Sequence, residues 1–144
     1  MVNDVQVLSI LVVDDEPYGT LILSDAVRHE DVRVTAASRL DTAEQELNRR
    51  RFDLVIAAVH LRGILGMEGL ELLSYIKRKW PQTKVIMTGY DTPEMRQEAL
   101  ERGADYYYEK PFDVFKVRKI VQEIRGTMVR TRRERISARR NEND

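Results

Sequence analysis

Three carboxylates in a row, Asp14-Asp15-Glu16, stand directly after the apolar run Ile10-Leu11-Val12-Val13. Acids crowded where a buried segment leaves the core repel one another, and burial raises the cost of their charge. A divalent cation relieves that repulsion, and an all-oxygen donor set favours Mg²⁺, Ca²⁺ or Mn²⁺. On these residues alone a second reading stays open: acids beside a helix start are favoured by the helix dipole.

The elements around the acids decide how such a cluster is held. Ile10–Val13 lacks period-2 alternation, which fits a strand buried on both faces of a parallel sheet. In an open parallel sheet the carboxyl ends of the strands form the ligand crevice, where the strand order reverses. Pro17 suits a first helical turn, and Leu21, Ile22, Ala26 and Val27 carry that helix to about His29. Val32–Ala36 alternates and predicts a strand with one polar face. Ser38 or Asp41 caps the next helix, which runs through Ala43 and Leu47 into Arg49-Arg50-Arg51. Those arginines complement a helix C-terminus, a reading preferred over an RNA-binding cluster. Leu54–Val59 is the most apolar run and predicts a central strand. Gly63, Gly66 and Gly69 mark the loop from His60 to Gly69. Leu70, Leu72, Leu73 and Ile76 form a helix closed by Trp80-Pro81. Val85-Ile86-Met87 is a strand ending in Thr88-Gly89. A helix from Thr92-Pro93 ends at Gly103. Tyr106-Tyr107-Tyr108 is an aromatic strand, and Phe112 to Ile124 carries a last helix. Five strand–helix units of this kind predict an α/β protein with a parallel sheet covered on both faces and right-handed crossovers.

The 144 residues suffice for one domain with an extension. Lysine plus arginine equals aspartate plus glutamate at 24 each, so net charge points to no polyanionic partner. The chain contains no cysteine, which excludes disulfides, thiolate zinc sites and cysteine nucleophiles. No apolar run approaches the ~20 residues of a membrane span. Met1-Val2-Asn3-Asp4 lacks the basic region of a signal peptide, so a cytoplasmic protein with no membrane contact is expected.

Taken together, five short pieces resemble the receiver domain of bacterial response regulators, the CheY-like family. They are Leu11-Val12-Val13-Asp14-Asp15, Phe52-Asp53-Leu54-Val55-Ile56, Gly69-Leu70-Glu71-Leu72-Leu73, Met87-Thr88-Gly89-Tyr90, and Gly103-Ala104-Asp105-Tyr106 leading to Lys110-Pro111-Phe112. The resemblance covers about residues 5 to 126 and implies a flavodoxin-like, doubly wound (βα)5 fold with sheet order 2-1-3-4-5. It divides the chain into a receiver domain over 1–126 and a basic tail or linker over 127–144. In such domains a histidine kinase phosphorylates an aspartate at the end of the third strand, beside Mg²⁺. The resemblance makes Asp14 and Asp15 the metal acids, with the backbone carbonyl of His60 as a further metal ligand. It makes Thr88 and Lys110 the phosphoryl-binding hydroxyl and ammonium, and Tyr107 the switch aromatic. It also implies a cis peptide before Pro111. Metal and lysine would supply the charge neutralisation that phosphoryl transfer needs.

At the position that resembles the phosphorylated aspartate stands Ala58, whose methyl group neither accepts a phosphoryl group nor ligates a cation. Two origins are open: a natural pseudo-receiver, or an engineered replacement that locks a receiver unphosphorylated. Asp53 lies five residues earlier, about 16 Å along a strand at ~3.3 Å per residue, and so at the wrong end. Glu68 reaches the crevice only if its loop folds back, and the His60 side chain is read as a solvated loop residue rather than a phosphohistidine. With one carboxylate missing, Lys110 is expected to pair with Asp14 or Asp15, and Mg²⁺ to bind weakly. Arg62 stands where the family has proline, and the loop to Gly69 is about three residues longer than usual, both read as loop drift.

From Arg125 to Arg140 there are seven arginines and one acid, Glu134. The apolar period fades there, which favours a solvated helical linker to an output domain over nucleic-acid contact. Met128 and Ile136 are too few for a coiled coil but leave room for a short homodimer contact.

The resulting expectation is a non-enzymatic receiver in a two-component phosphorelay. Its partners are a histidine kinase or phosphotransfer protein, and an output domain or partner protein. The contact face is the fourth helix, fifth strand and fifth helix, including Tyr90 and Tyr106. A phosphorylation-independent adaptor of the same fold is one alternative. A doubly wound phosphohydrolase with Asp14 as nucleophile and Glu16 two residues beyond is another.

Overall fold

Alternate side chains of each strand point to opposite faces of a sheet, so a strand apolar at every position must be covered twice. The computed structural model, which describes residues 7–61, 66–90 and 92–143, satisfies this with a parallel sheet between two helical layers. The strands are β1 (Leu8–Val13), β2 (Val32–Ala37), β3 (Leu54–Ala58), β4 (Lys84–Gly89) and β5 (Tyr106–Glu109). They lie in the order β2-β1-β3-β4-β5, as expected. The helices are α1 (Pro17–Val27), α2 (Leu40–Arg49), α3 (Glu68–Lys79), α4 (Pro93–Glu101) and α5 (Val114–Asn143).

Ile10, Val12, Leu54, Ile56 and Ile86 face α1 and α5, where Leu23, Val27, Val117, Ile120 and Val121 close one half of the core. Leu11, Val13, Val55, Val85 and Met87 face the other layer, packed on Ala43, Leu47, Leu73, Ile76 and Ala99. No helix among the described residues is long and apolar enough to cross a membrane.

The register is what builds a site. Val13 pairs with Ala57, Ala58 with Thr88, and Gly89 with Glu109. The carboxyl ends of β1, β3, β4 and β5 are therefore level, and the strand order reverses beside β1, where Asp14 emerges.

Several local expectations are corrected. α1 stops at Val27, two residues short of His29, because Arg28 leaves the helical conformation. Neither Ser38 nor Asp41 caps α2; the capping position falls on Arg39 in extended backbone, and Asp41 lies in the first turn. That helix ends at Arg49, with Arg50 already extended, so the arginine run is not helical throughout. α3 starts at Glu68, which puts Gly69 inside its first turn rather than in the loop. The reason is steric: a β-carbon at Gly69 would collide with the Ala58 carbonyl oxygen and approach the Ala58 carbonyl carbon to 2.8 Å. The glycine lets α3 begin directly against the end of β3, and its N–H donates to the Val59 carbonyl at 3.0 Å. Arg62 and the start of the long loop lie outside the described residues, as do Met1–Asp4. α5 continues unbroken through Gly126 as the expected helical extension, with exposed side chains at Arg130, Arg133, Arg135, Arg139 and Arg140.

Candidate functional site

Asp14 is the first residue past β1 and is 5% exposed. Its N–H remains tied to the sheet, donating to Ala37 O at 3.1 Å. Its carboxylate is engaged on both sides: Oδ1 accepts from the Glu16 N–H at 3.0 Å, and Oδ2 accepts from Lys110 Nζ at 3.0 Å. Of the two partners left open by the sequence, Lys110 takes Asp14. Glu16 stands at the N-cap of α1 and Asp14 accepts from its N–H, so the acids also lie at a helix start, although no side chain caps the helix itself.

Lys110 reaches this point because its own N–H donates to Gly89 O at 2.7 Å, extending the pairing of β5 with β4. The Lys110–Pro111 peptide is cis. Thr88 is the penultimate residue of β4 and is 2% exposed, directly across the register from Ala58. Asp15, Ala58, His60, Thr88, Tyr90 and Lys110 share one cavity of about 160 Å³. Asp14 sits at its edge through the Lys110 pair and lines an adjoining, more apolar cavity of about 300 Å³ with Ile22, Phe112 and Val114. The structure thus brings together the acids, hydroxyl and ammonium singled out in the sequence, with the Ala58 methyl among them.

His60 is half-buried and its Nδ1–H donates to Gly66 O at 2.6 Å, which holds the ring against Tyr90 at 5.9 Å between centroids. The ring is therefore not freely solvated as expected; the glycine loop supplies an acceptor. Asp53 sits at the opposite end of the sheet, where its carboxylate accepts from the Ser9 N–H at 2.8 Å. Glu68 occupies the first turn of α3 and does not line the cavity.

Tyr107 is 5% exposed, and its hydroxyl donates to the Tyr90 carbonyl at 2.9 Å. Gly89 and Tyr90, which the sequence places in the motif at the end of β4 and, for Tyr90, on the expected contact face, make this possible. A β-carbon at Gly89 would lie 2.7 Å from the Tyr107 hydroxyl, so only glycine admits the ring. Tyr90 offers its carbonyl while its side chain stays 57% exposed. The glycine after the β4 hydroxyl was the available signal, but a glycine at a strand end reads as a turn.

Level strand ends carrying acids at β1, a hydroxyl at β4 and a lysine at β5, on a 2-1-3-4-5 sheet, define a receiver-type α/β protein. The family model for the response regulator receiver domain matches residues 10–122, and the chain belongs to that family, whose members are the receivers of two-component systems. It is 35% identical over 126 residues to the nitrogen assimilation regulatory protein NtrX of Azorhizobium caulinodans, covering 87% of this chain and 27% of that protein. It is 32% identical over 115 residues to sporulation initiation phosphotransferase F of Bacillus subtilis, covering 79% of this chain and 90% of that one. The crystal structure of the receiver domain of NtrX from Brucella abortus superposes with a TM-score of 0.72 at 32% identity, covering 82% and 98% of the two chains. The chain thus spans about a quarter of the length of NtrX.

Receiver domains generally bind Mg²⁺ at the acidic site. The donor set here does not complete one. One oxygen of Asp14 is held by an ammonium, Ala58 contributes no side-chain donor, and the described residues hold no cluster of three metal-ligating side chains.

Proposed function

We propose that this chain is a receiver that signals by switching protein contacts and takes no phosphoryl group, because Ala58 occupies the acceptor position. One observation carries the reading: Ala58 is paired with Thr88 in a cavity shared with Asp15 and Lys110, at the spot where an acceptor carboxylate would meet all three. A methyl group there has no lone pair for phosphorus. Asp14 and Asp15, with the His60 carbonyl, hold Mg²⁺ weakly, and Lys110 neutralises Asp14 in place of the ion. The domain is not an enzyme in this reading, and it acts in the cytoplasm.

The partners are a histidine kinase or phosphotransfer protein and an output domain or second protein, met through α4, β5 and α5. Tyr90, Leu100 and Tyr106 supply exposed apolar surface on that side, at 57%, 44% and 38% exposure, and the same face would serve a homodimer. The test is incubation with a small phosphodonor and Mg²⁺ followed by intact-mass spectrometry. No adduct is expected, and a stable phosphoryl adduct on this chain would reject the reading.

A further inference from the structure

Cations are concentrated at one end of the sheet. Asp14, Asp15 and Glu16 crowd the end of the sheet that holds the site. The opposite end gathers Arg49 at the end of α2 with Arg50 and Arg51 after it, Lys77 to Lys79 at the end of α3, Lys84, and the arginine-rich half of α5. Glu46 pairs with Arg49 and Arg50 there, and Asp105 with Lys77 and Lys84, which leaves Arg51, Lys79 and the α5 arginines, outside those pairs, as the cations facing the groove at that end. A groove of about 840 Å³ opens at that basic end, between the underside of the domain and the α5 extension. Arg51, Lys79 and Lys84 line it from the domain and Arg135 from α5. Trp80 lines it as well, half-buried, with Lys79 Nζ 5.3 Å from its ring centroid and Tyr75 edge-on at 5.7 Å. Of the acids in the groove, Asp53 is already bonded to the Ser9 N–H, which leaves Glu123.

We propose that this groove binds a single-stranded nucleic acid, with phosphates along the cationic walls and a base against Trp80. Cations that track a backbone and an aromatic ring that takes a base are the two parts such binding requires. The cations of the extension are all arginine between residues 125 and 140, with no lysine. The guanidinium fork matches phosphate oxygens in two-point contact, which an acidic peptide does not specifically need. The sequence alone favours a solvated linker, because the groove exists only once two loops and the helix extension meet.

Trp80 is the sole tryptophan, so its emission reports on the groove directly. The full chain is titrated with oligothymidylate and oligouridylate strands of about 12 nucleotides, within the span of known single-strand sites. Quenching of Trp80 is expected with at least one strand, with log affinity falling linearly against log salt. Arg135→Glu and Lys79→Glu, both at exposed positions, should each weaken binding about tenfold while circular dichroism stays unchanged. A polyglutamate peptide of equal length should not displace the strand. Absence of quenching with both strands, affinity unaltered in both variants, or displacement by polyglutamate at equal concentration overturns the proposal.

Discussion

Lys110 Nζ lies 3.0 Å from Asp14 Oδ2, joining residues 96 apart in the chain. This pair ties the end of β5 to the end of β1 across the whole mouth of the site. Asp14 is 5% exposed and the Lys110 side chain 18%, so neither charge is well hydrated. Removing one partner leaves the other buried and uncompensated. Lys110→Ala is expected to lower stability by about 3 kcal/mol, the low end for a broken buried pair because Asp14 keeps the Glu16 N–H. Urea unfolding with an unchanged m-value checks this. A loss under about 0.5 kcal/mol, the scale of a surface pair, would show that water already screens the pair.

Ala58→Asp inserts a third side-chain carboxylate at a position 2% exposed, beside Asp15 and Lys110. Without a cation the new charge competes for Lys110 and costs about 1–3 kcal/mol. With Mg²⁺ it becomes a ligand, so affinity for the ion should rise about tenfold or more, equal to ~1.4 kcal/mol per decade. The expected signature is a variant melting below the parent without Mg²⁺ and recovering as Mg²⁺ is added, since a ligand of the folded state stabilises it. The parent should shift little over the same range. Equal Mg²⁺ response in both proteins would mean that residue 58 does not face the ion.

Most of this arrangement was legible in the chain. The runs at Ile10–Val13 and Leu54–Val59 are apolar at every position, and only a doubly covered parallel strand accommodates that. The acids follow β1, Thr88 lies at the end of β4 and Lys110 follows β5, so the sheet aligns them. What was not legible depended on contacts between distant segments. Gly69 reads as a loop glycine until β3 and α3 are seen to touch. Ser38 and Asp41 have the right chemistry for a cap, but β2 releases the chain so that Arg39 takes the position. The helix through Gly126 lacks an apolar period because it packs on little beyond Met128, so periodicity had nothing to report. The groove under it arises from the two loops and the helix together.

Two tyrosines should titrate on opposite sides of the ordinary value of about 10. Lys79 donates to the Tyr75 hydroxyl at 3.0 Å and, with Asn48, lowers its pKa. Burial raises that of Tyr108, helped by Tyr106 and Glu123. The lowered group contributes stability above its unfolded value and loses it as pH falls through the folded value. The raised group contributes below its unfolded value and loses it as pH rises through the folded one. Just below pH ~10 stability should therefore gain from Tyr75 as pH rises, and above it stability should decline through Tyr108. Absorbance titration of tyrosinate checks the order: Tyr75→Phe should delete the earliest component and Tyr108→Phe a late one. An unchanged leading edge in Tyr75→Phe would contradict the Lys79 contact.

Tyr107 connects the site to the surface proposed for partners. Its hydroxyl reaches the Tyr90 carbonyl, which also accepts from the Thr92 N–H at 3.1 Å, and Thr92 in turn caps α4 by accepting from the Met95 N–H at 3.2 Å. The ring of a β5 residue thereby holds the entry to α4 while Tyr90 lines the cavity with Ala58, Thr88 and Lys110. Tyr107→Phe keeps the ring and removes the bond. The Tyr90 carbonyl retains Thr92 and some access to water, so the loss should be modest, about 1 kcal/mol. The larger effect should be local. Amides at the start of α4 are expected to exchange faster with solvent, while β1 and β3, fixed by their own ladders, do not change. Gly89→Ala presses on the same hydroxyl from the other side and should reproduce the pattern more strongly. If exchange near Thr92 and Met95 is unaltered in both variants, the tyrosine is a core residue with an incidental bond, and movement of α4 must be coupled to the site by another route.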